Sequence, residues 1–136
     1  MRILLDTNVV LDVLLKREPW VSEASAIWQA NDDGRLVGHL MASALTDIFY
    51  VARRLADREA ARAAVETCLE AFEFCPVDRH ALELAHLHPG ADFEDNLQMV
   101  CAEIAQLDAI VTRDPDDFKA ATVAVLTPTQ ILAQLS

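Results

Sequence analysis

Four aspartates spread along the chain, Asp6, Asp47, Asp95 and Asp114, are the residues with the clearest capacity for chemistry. Two of them follow short apolar runs, as Leu4-Leu5-Asp6 and as Val111-Thr112-Arg113-Asp114, where a buried strand would give way to a turn. Asp47 lies beside an apolar helical stripe, yet the third and fourth residues after it are Tyr50 and Val51 rather than a basic partner. An acid beside a core needs compensation. Asp95 falls in the first turn of a helical segment that precedes the apolar run starting at Ala109. Brought into one cleft, these carboxylates would repel one another and their pKa values would rise unless a cation offset the charge. Cys68, Cys75 and Cys101 have no C-x-x-C spacing and sit in apolar segments, which suits buried thiols, and His86 and His88 lack the helical spacing that aligns two ligands. An all-oxygen donor set suits Mg²⁺ or Mn²⁺, which keep several waters and use few carboxylates plus substrate phosphate. The chemistry open to such a site is the activation of a cation-bound water next to a phosphate group.

Each acid also has a structural reading. Asp6 could cap the first helix, and Asp114-Pro115 with Asp117 three residues on has the form of a capped helix start. Asp92 is the stronger cap, and Asp95 would be favourable near a helix N-terminus in any case. Asp12 has Lys16 four residues on, so a surface ion pair is expected there. Among the basic side chains, Arg113 beside Asp114 is the first choice for a substrate phosphate, while Arg53, Arg54, Arg58 and Arg62 are expected mostly on solvated helix faces.

Strand-like and helix-like segments alternate along the chain. Short apolar runs at Ile3 to Leu5, Leu36 to Met41, Phe72 to Val77, Ala109 to Thr112 and Thr122 to Leu126 read as strands. Helical periodicity covers the stretch after Asp6, then about Trp20 to Asn31, Ala44 to Leu55, Arg58 to Ala71, Arg79 to Leu87, Asp92 to Leu107 and a closing helix opened by Thr127-Pro128. This order predicts an α/β fold of three α/β/α layers around a central parallel sheet of four to five strands. Ligands would bind beyond the carboxyl ends of the strands. Its 136 residues are expected to form one domain spanning 1–136 with a core of its own.

Eleven basic residues against twenty-two acidic ones leave a formal net charge of -11, a field that disfavours a protein coating nucleic acid. Any phosphate chemistry must be local, and a bound cation is one way to invert the local electrostatics. Asp6 interrupts the N-terminal apolar run, so neither a secretory leader nor a membrane span is expected, and the chain reads as cytoplasmic.

Taken together, Leu4-Leu5-Asp6-Thr7-Asn8, Leu45-Thr46-Asp47-Ile48-Phe49-Tyr50, Asp92-Phe93-Glu94-Asp95-Asn96-Leu97-Gln98 and Thr112-Arg113-Asp114 before Asp117-Phe118 resemble a PIN domain, including the ribonuclease toxins called VapC. The resemblance implies that Asp6, Asp47, Asp95 and Asp114 take the metal-site positions, with Thr112, Asn8 and Asp92 in support. The second position is more often Glu in the family, and the shorter Asp47 leaves a direct metal contact there open. By the same resemblance the activity is divalent-metal-dependent cleavage of RNA, with a cognate antitoxin and a homodimer as expected partners. Two other readings stay open: a PIN-like binding or regulatory module without turnover, and a phosphate-transferring domain with an aspartyl nucleophile at Asp6. The latter would want a second acid where Asn8 stands and a suitably placed Lys, of which the chain has only Lys16 and Lys119.

Overall fold

A computed structural model describes residues 1–136. Five strands, β1 (Arg2–Leu5), β2 (Val37–Met41), β3 (Glu73–Cys75), β4 (Ala109–Val111) and β5 (Ala124–Leu126), pair in parallel in the order β3-β2-β1-β4-β5. Seven helices connect and cover them: α1 (Thr7–Leu14), α2 (Val21–Asp32), α3 (Ala44–Leu55), α4 (Arg58–Ala71), α5 (Arg79–Leu87), α6 (Phe93–Ile104) and α7 (Pro128–Leu135), with a 3-10 turn at Pro115–Phe118. The three-layer parallel arrangement agrees with the alternation of the sequence.

The strands are short and apolar because both faces of the sheet are covered. Along β1 the pleat sends Ile3 and Leu5 into a core formed with α1, α2, α3, α4 and α7, and Leu4 into a second core formed with α5, α6 and Phe118. Several helix starts are closed by side chains of their own: Asp57 accepts from the Ala60 amide, Asp78 from Ala81 and Asp92 from Asp95, while Thr127 and Gln130 form a reciprocal capping box. No helix is long and apolar enough to cross a membrane.

Two boundaries differ from the periodicity for a local reason. The helix α1 stops at Leu14, and Lys16 takes a left-handed φ of 52°. Likewise α6 stops at Ile104 instead of reaching Leu107, because Gln106 turns left-handed at φ 54° and the Leu107 amide folds back onto the Ala102 carbonyl. Apolar side chains continue past both ends, so the pattern alone overruns them.

Sheet order decides where a ligand can sit. The chain moves outward from β1 to β2 and β3, then crosses to the other side of β1 for β4 and β5. The reversal leaves a crevice beyond the carboxyl ends of β1 and β4. The α5–α6 loop borders that crevice and is tied down by the buried Asn96, whose amide donates to the carbonyls of Gly90 (2.9 Å) and Ala85 (3.4 Å). A Cβ on Gly90 would run into the Asn96 Oδ1, so a larger residue there would push the Asn96 amide off those carbonyls.

Candidate functional site

Asp6 leaves β1 beside β4, its amide donating to the Val111 carbonyl at 2.9 Å. It occupies the cap position of α1, where the Asn8 amide is near its side chain without closing a cap hydrogen bond. Instead the carboxylate, only 7% exposed, accepts from Thr112 Oγ1 at 2.8 Å on one oxygen and from Gln98 Nε2 at 3.4 Å on the other. Burial pushes its pKa up; Thr112, Gln98 and the Asn8 amide oppose that rise, and Asp114 adds to it. Thr112 is fully buried and its hydroxyl also accepts the Asp114 amide at 3.0 Å, so one side chain fixes both the first acid and the turn carrying the last. The Asp114 side chain likewise forms no cap on the 3-10 turn.

The first turn of α6 contributes three acids. Asp92 accepts the Asp95 amide at 2.9 Å and is a cap, as its position suggested. Asp95 is held up to about 6, by burial first and then by Asp92, Asp117, Asp6 and Asp114. Glu94 is pushed up to about 7 by burial and by Asp47, with which it also shares a hydrogen bond. The unpartnered acid of α3 thus faces another acid from α6.

These elements enclose an open cleft of about 420 Å³. Seven acids line it, the four singled out above with Asp92, Glu94 and Asp117, together with Asn8 and Gln98. Arg54 is its one basic side chain. The α3 side shows a clear period, with Asp47, Tyr50, Val51 and Arg54 all reaching the cleft from one helical stripe. The donor chemistry, all oxygen, partly desolvated and mutually repelling, fits a hard divalent cation. No three His, Cys, Asp or Glu side chains are gathered into a ready cage, so the fit is to an ion that retains much of its water.

Two expected roles need correction. Arg113, expected at a substrate phosphate, does not line the cleft; its guanidinium donates to Asp12 at 3.0 and 3.4 Å and lies over the Trp20 ring, 3.8 Å from the centroid. Asp12 is correspondingly buried, at 1% exposure, and pairs with Arg113 and Arg17 instead of Lys16. The reason is that α1 ends before a fourth residue can stack above Asp12. Neither Lys16 nor Lys119 lines the cleft, which leaves an aspartyl nucleophile at Asp6 without its lysine. The three cysteines are buried free thiols, with Cys68 raised to about 11 and Cys101 to about 12 by burial.

Of the cleft residues not foreseen, Gln98 stands three positions after Asp95 on one helical face, and Arg54 seven after Asp47. Helical spacing from the candidate acids would have found both. Glu94 competes with Asp95 in the sequence at the start of α6, and the fold brings both acids to the cleft.

Residues 2–125 match the family described as PIN domain. Among solved structures, the DNA-bound VapBC of Salmonella typhimurium superposes with a TM-score of 0.73 at 17% identity, covering 94% of this chain and 98% of that one. Mycobacterium tuberculosis VapC20, described as a Sarcin-Ricin loop cleaving toxin, gives 0.69 at 16% identity over 85% and 92%. A toxin-antitoxin complex from Klebsiella pneumoniae gives 0.68 at 19% identity over 93% and 97%. At such identities the likeness is one of fold. No curated protein matches the sequence.

Proposed function

The chain belongs to the PIN-domain family, and on that premise we propose that it is a divalent-metal-dependent endoribonuclease, the toxin of a toxin–antitoxin pair, working as one domain in the cytoplasm. The observation that carries this reading is the cleft at the sheet reversal, where seven acids face one another with a single arginine among them. Asp6, Asp95 and Asp114 would hold Mg²⁺ or Mn²⁺, with Asp47 direct or through water, and Asn8 and Thr112 in support. When bound, the cation supplies a lowered pKa for coordinated water and offsets charge on the phosphate oxygens. The chain's own residues do the positioning. Thr112 and Gln98 hold the two oxygens of Asp6, while the Asp92 cap fixes the first turn of α6 and with it Asp95. Without metal, burial and the facing Asp47 carboxyl favour the protonated form of Glu94 up to about pH 7. Hydrolysis joins a water oxygen to phosphorus as the bond to the 3′-oxygen breaks, leaving a 5′-phosphate and a 3′-hydroxyl.

RNA as substrate is supported by the PIN resemblance and by the likeness to a toxin described as cleaving the Sarcin-Ricin loop. An antitoxin partner is supported by the VapBC and toxin-antitoxin complexes of the same fold. A homodimer finds support in the exposed Leu82 and Leu87 on one side of α5. The test is incubation with single-stranded RNA. Cleavage is expected with Mn²⁺ or Mg²⁺ and is expected to stop on chelation; intact RNA under all divalent conditions would overturn the assignment. The second reading, a module without turnover, rests on Asp47 standing where the family more often carries Glu and on the net charge of -11, and the same incubation separates the two.

Stability should report the cation independently of catalysis. Asp95 and Glu94 sit at about 6 and about 7 in the folded chain, above their ordinary 3.8 and 4.5. Across that window the folded chain holds protons that the unfolded chain has lost, so stability falls as pH rises through it. The metal-free protein is therefore expected to melt lower at about pH 8 than at about pH 5, with Mn²⁺ raising the melting temperature most at the higher pH. A melting temperature indifferent to Mn²⁺ at the higher pH would remove the cation from the cleft.

A further inference from the structure

Four of the eleven basic residues, Arg53, Arg54, Arg58 and Arg62, lie between the last turn of α3 and the second turn of α4, and none of them is in an ion pair. On a chain of net charge -11, this corner holds the densest run of arginines, interleaved with Asp57, Glu59 and Glu66. Arg54 reaches the acidic cleft, whereas Arg58 and Arg62 line an adjoining groove on α4. Two aromatic rings stand at the junction. Phe49 faces the groove and Tyr50 the cleft, and they meet edge to face with centroids 5.6 Å apart. Tyr50 remains 61% exposed.

From this juxtaposition we infer that the α3–α4 corner is the substrate entry face, with Tyr50 stacking an unpaired base and Arg54 holding the phosphate that leads into the cleft. The inference rests on the nuclease reading of the cleft and adds to it the two side chains that would receive the strand. A planar ring open on the surface stacks a base of any identity, while a base inside a duplex already has its faces covered. An arginine at the mouth of an acidic cleft offers the one planar pair of donors for a phosphate, and its planar fork suits phosphate geometry better than an ammonium would. Beyond the cleft, Arg58 and Arg62 alternate with Glu59 and Glu66 along the groove, so the proposed contacts are confined to Tyr50 and Arg54 at the junction.

Binding of a labelled single-stranded oligoribonucleotide to the Asp95→Asn protein tests this without turnover. Tyr50→Ala and Arg54→Ala, made in that background, are each expected to weaken binding about tenfold, in line with single stacking and phosphate contacts. Tyr50→Trp should retain it. Arg54→Ala should also flatten the salt dependence of binding, whereas Tyr50→Ala should not. Arg79→Ala, on α5 away from the cleft, is the control expected to leave affinity unchanged. Undiminished affinity in both the Tyr50→Ala and Arg54→Ala proteins, no binding at all, or equal affinity for a duplex of the same sequence would overturn the inference. The two readings fail separately. Weakened binding in the variants without any cleavage by the unaltered protein sinks the nuclease and keeps the entry face; cleavage with unweakened binding does the reverse.

Discussion

Asp95→Asn and Asp6→Asn are each expected to lower RNA cleavage by about three orders of magnitude, or about 4 kcal/mol of transition-state stabilisation. Either change removes a full negative charge from the place where a cation must be held against the water it gives up. The two variants should differ in stability. Asp95 is pressed on by Asp92, Asp117, Asp6 and Asp114, so its neutralisation relieves repulsion and the protein should melt at or above the parent temperature. Asp6 is different because both of its oxygens accept, from Thr112 and from Gln98. An asparagine keeps one acceptor and turns its amide toward the other donor, so some stability is lost along with activity. Cleavage rates and melting curves on the same preparations check both statements. A rate within tenfold of the parent in either variant would place the chemistry elsewhere.

The architecture was legible because burial on both faces makes the five strands short apolar runs, and because helix starts such as Asp57, Asp78, Asp92 and Thr127 carry the polar caps their positions suggest. Helix ends were less legible. Lys16 and Gln106 adopt left-handed conformations that nothing in the local pattern announces, and each shortens a helix the apolar spacing would extend. The acids could be nominated from strand ends and from the missing partner of Asp47. Whether one faces a cap, a cation site or an arginine depends on long-range placement. Asp92 and Asp6 both stand at cap positions, yet only Asp92 closes a cap hydrogen bond, since the Asp6 carboxylate is turned to Thr112, just past the end of β4 and 106 residues away.

That same long-range placement explains the Asp12–Arg113 pair, and its removal carries the second large effect. Asp12→Ala is expected to destabilise the fold by about 3 kcal/mol, or about 10 °C in melting temperature. Arg113 is 20% exposed against 1% for Asp12, so without its partner the guanidinium would stay largely desolvated with only the Trp20 ring for company. The loss sits at the lower end for a broken buried pair because the partly exposed arginine can still find water. Replacing both partners, as Asp12→Ala with Arg113→Met, should recover more than half of the loss, since no uncompensated charge then remains. The pair also has a bearing on the cleft. Arg113 lies between Thr112 and Asp114, and its ion pair is with Asp12 on α1, not with the neighbouring acid. If Arg113 were instead a substrate ligand, Arg113→Met would cut cleavage while leaving stability untouched; the clamp predicts the reverse order, with the melting temperature falling first.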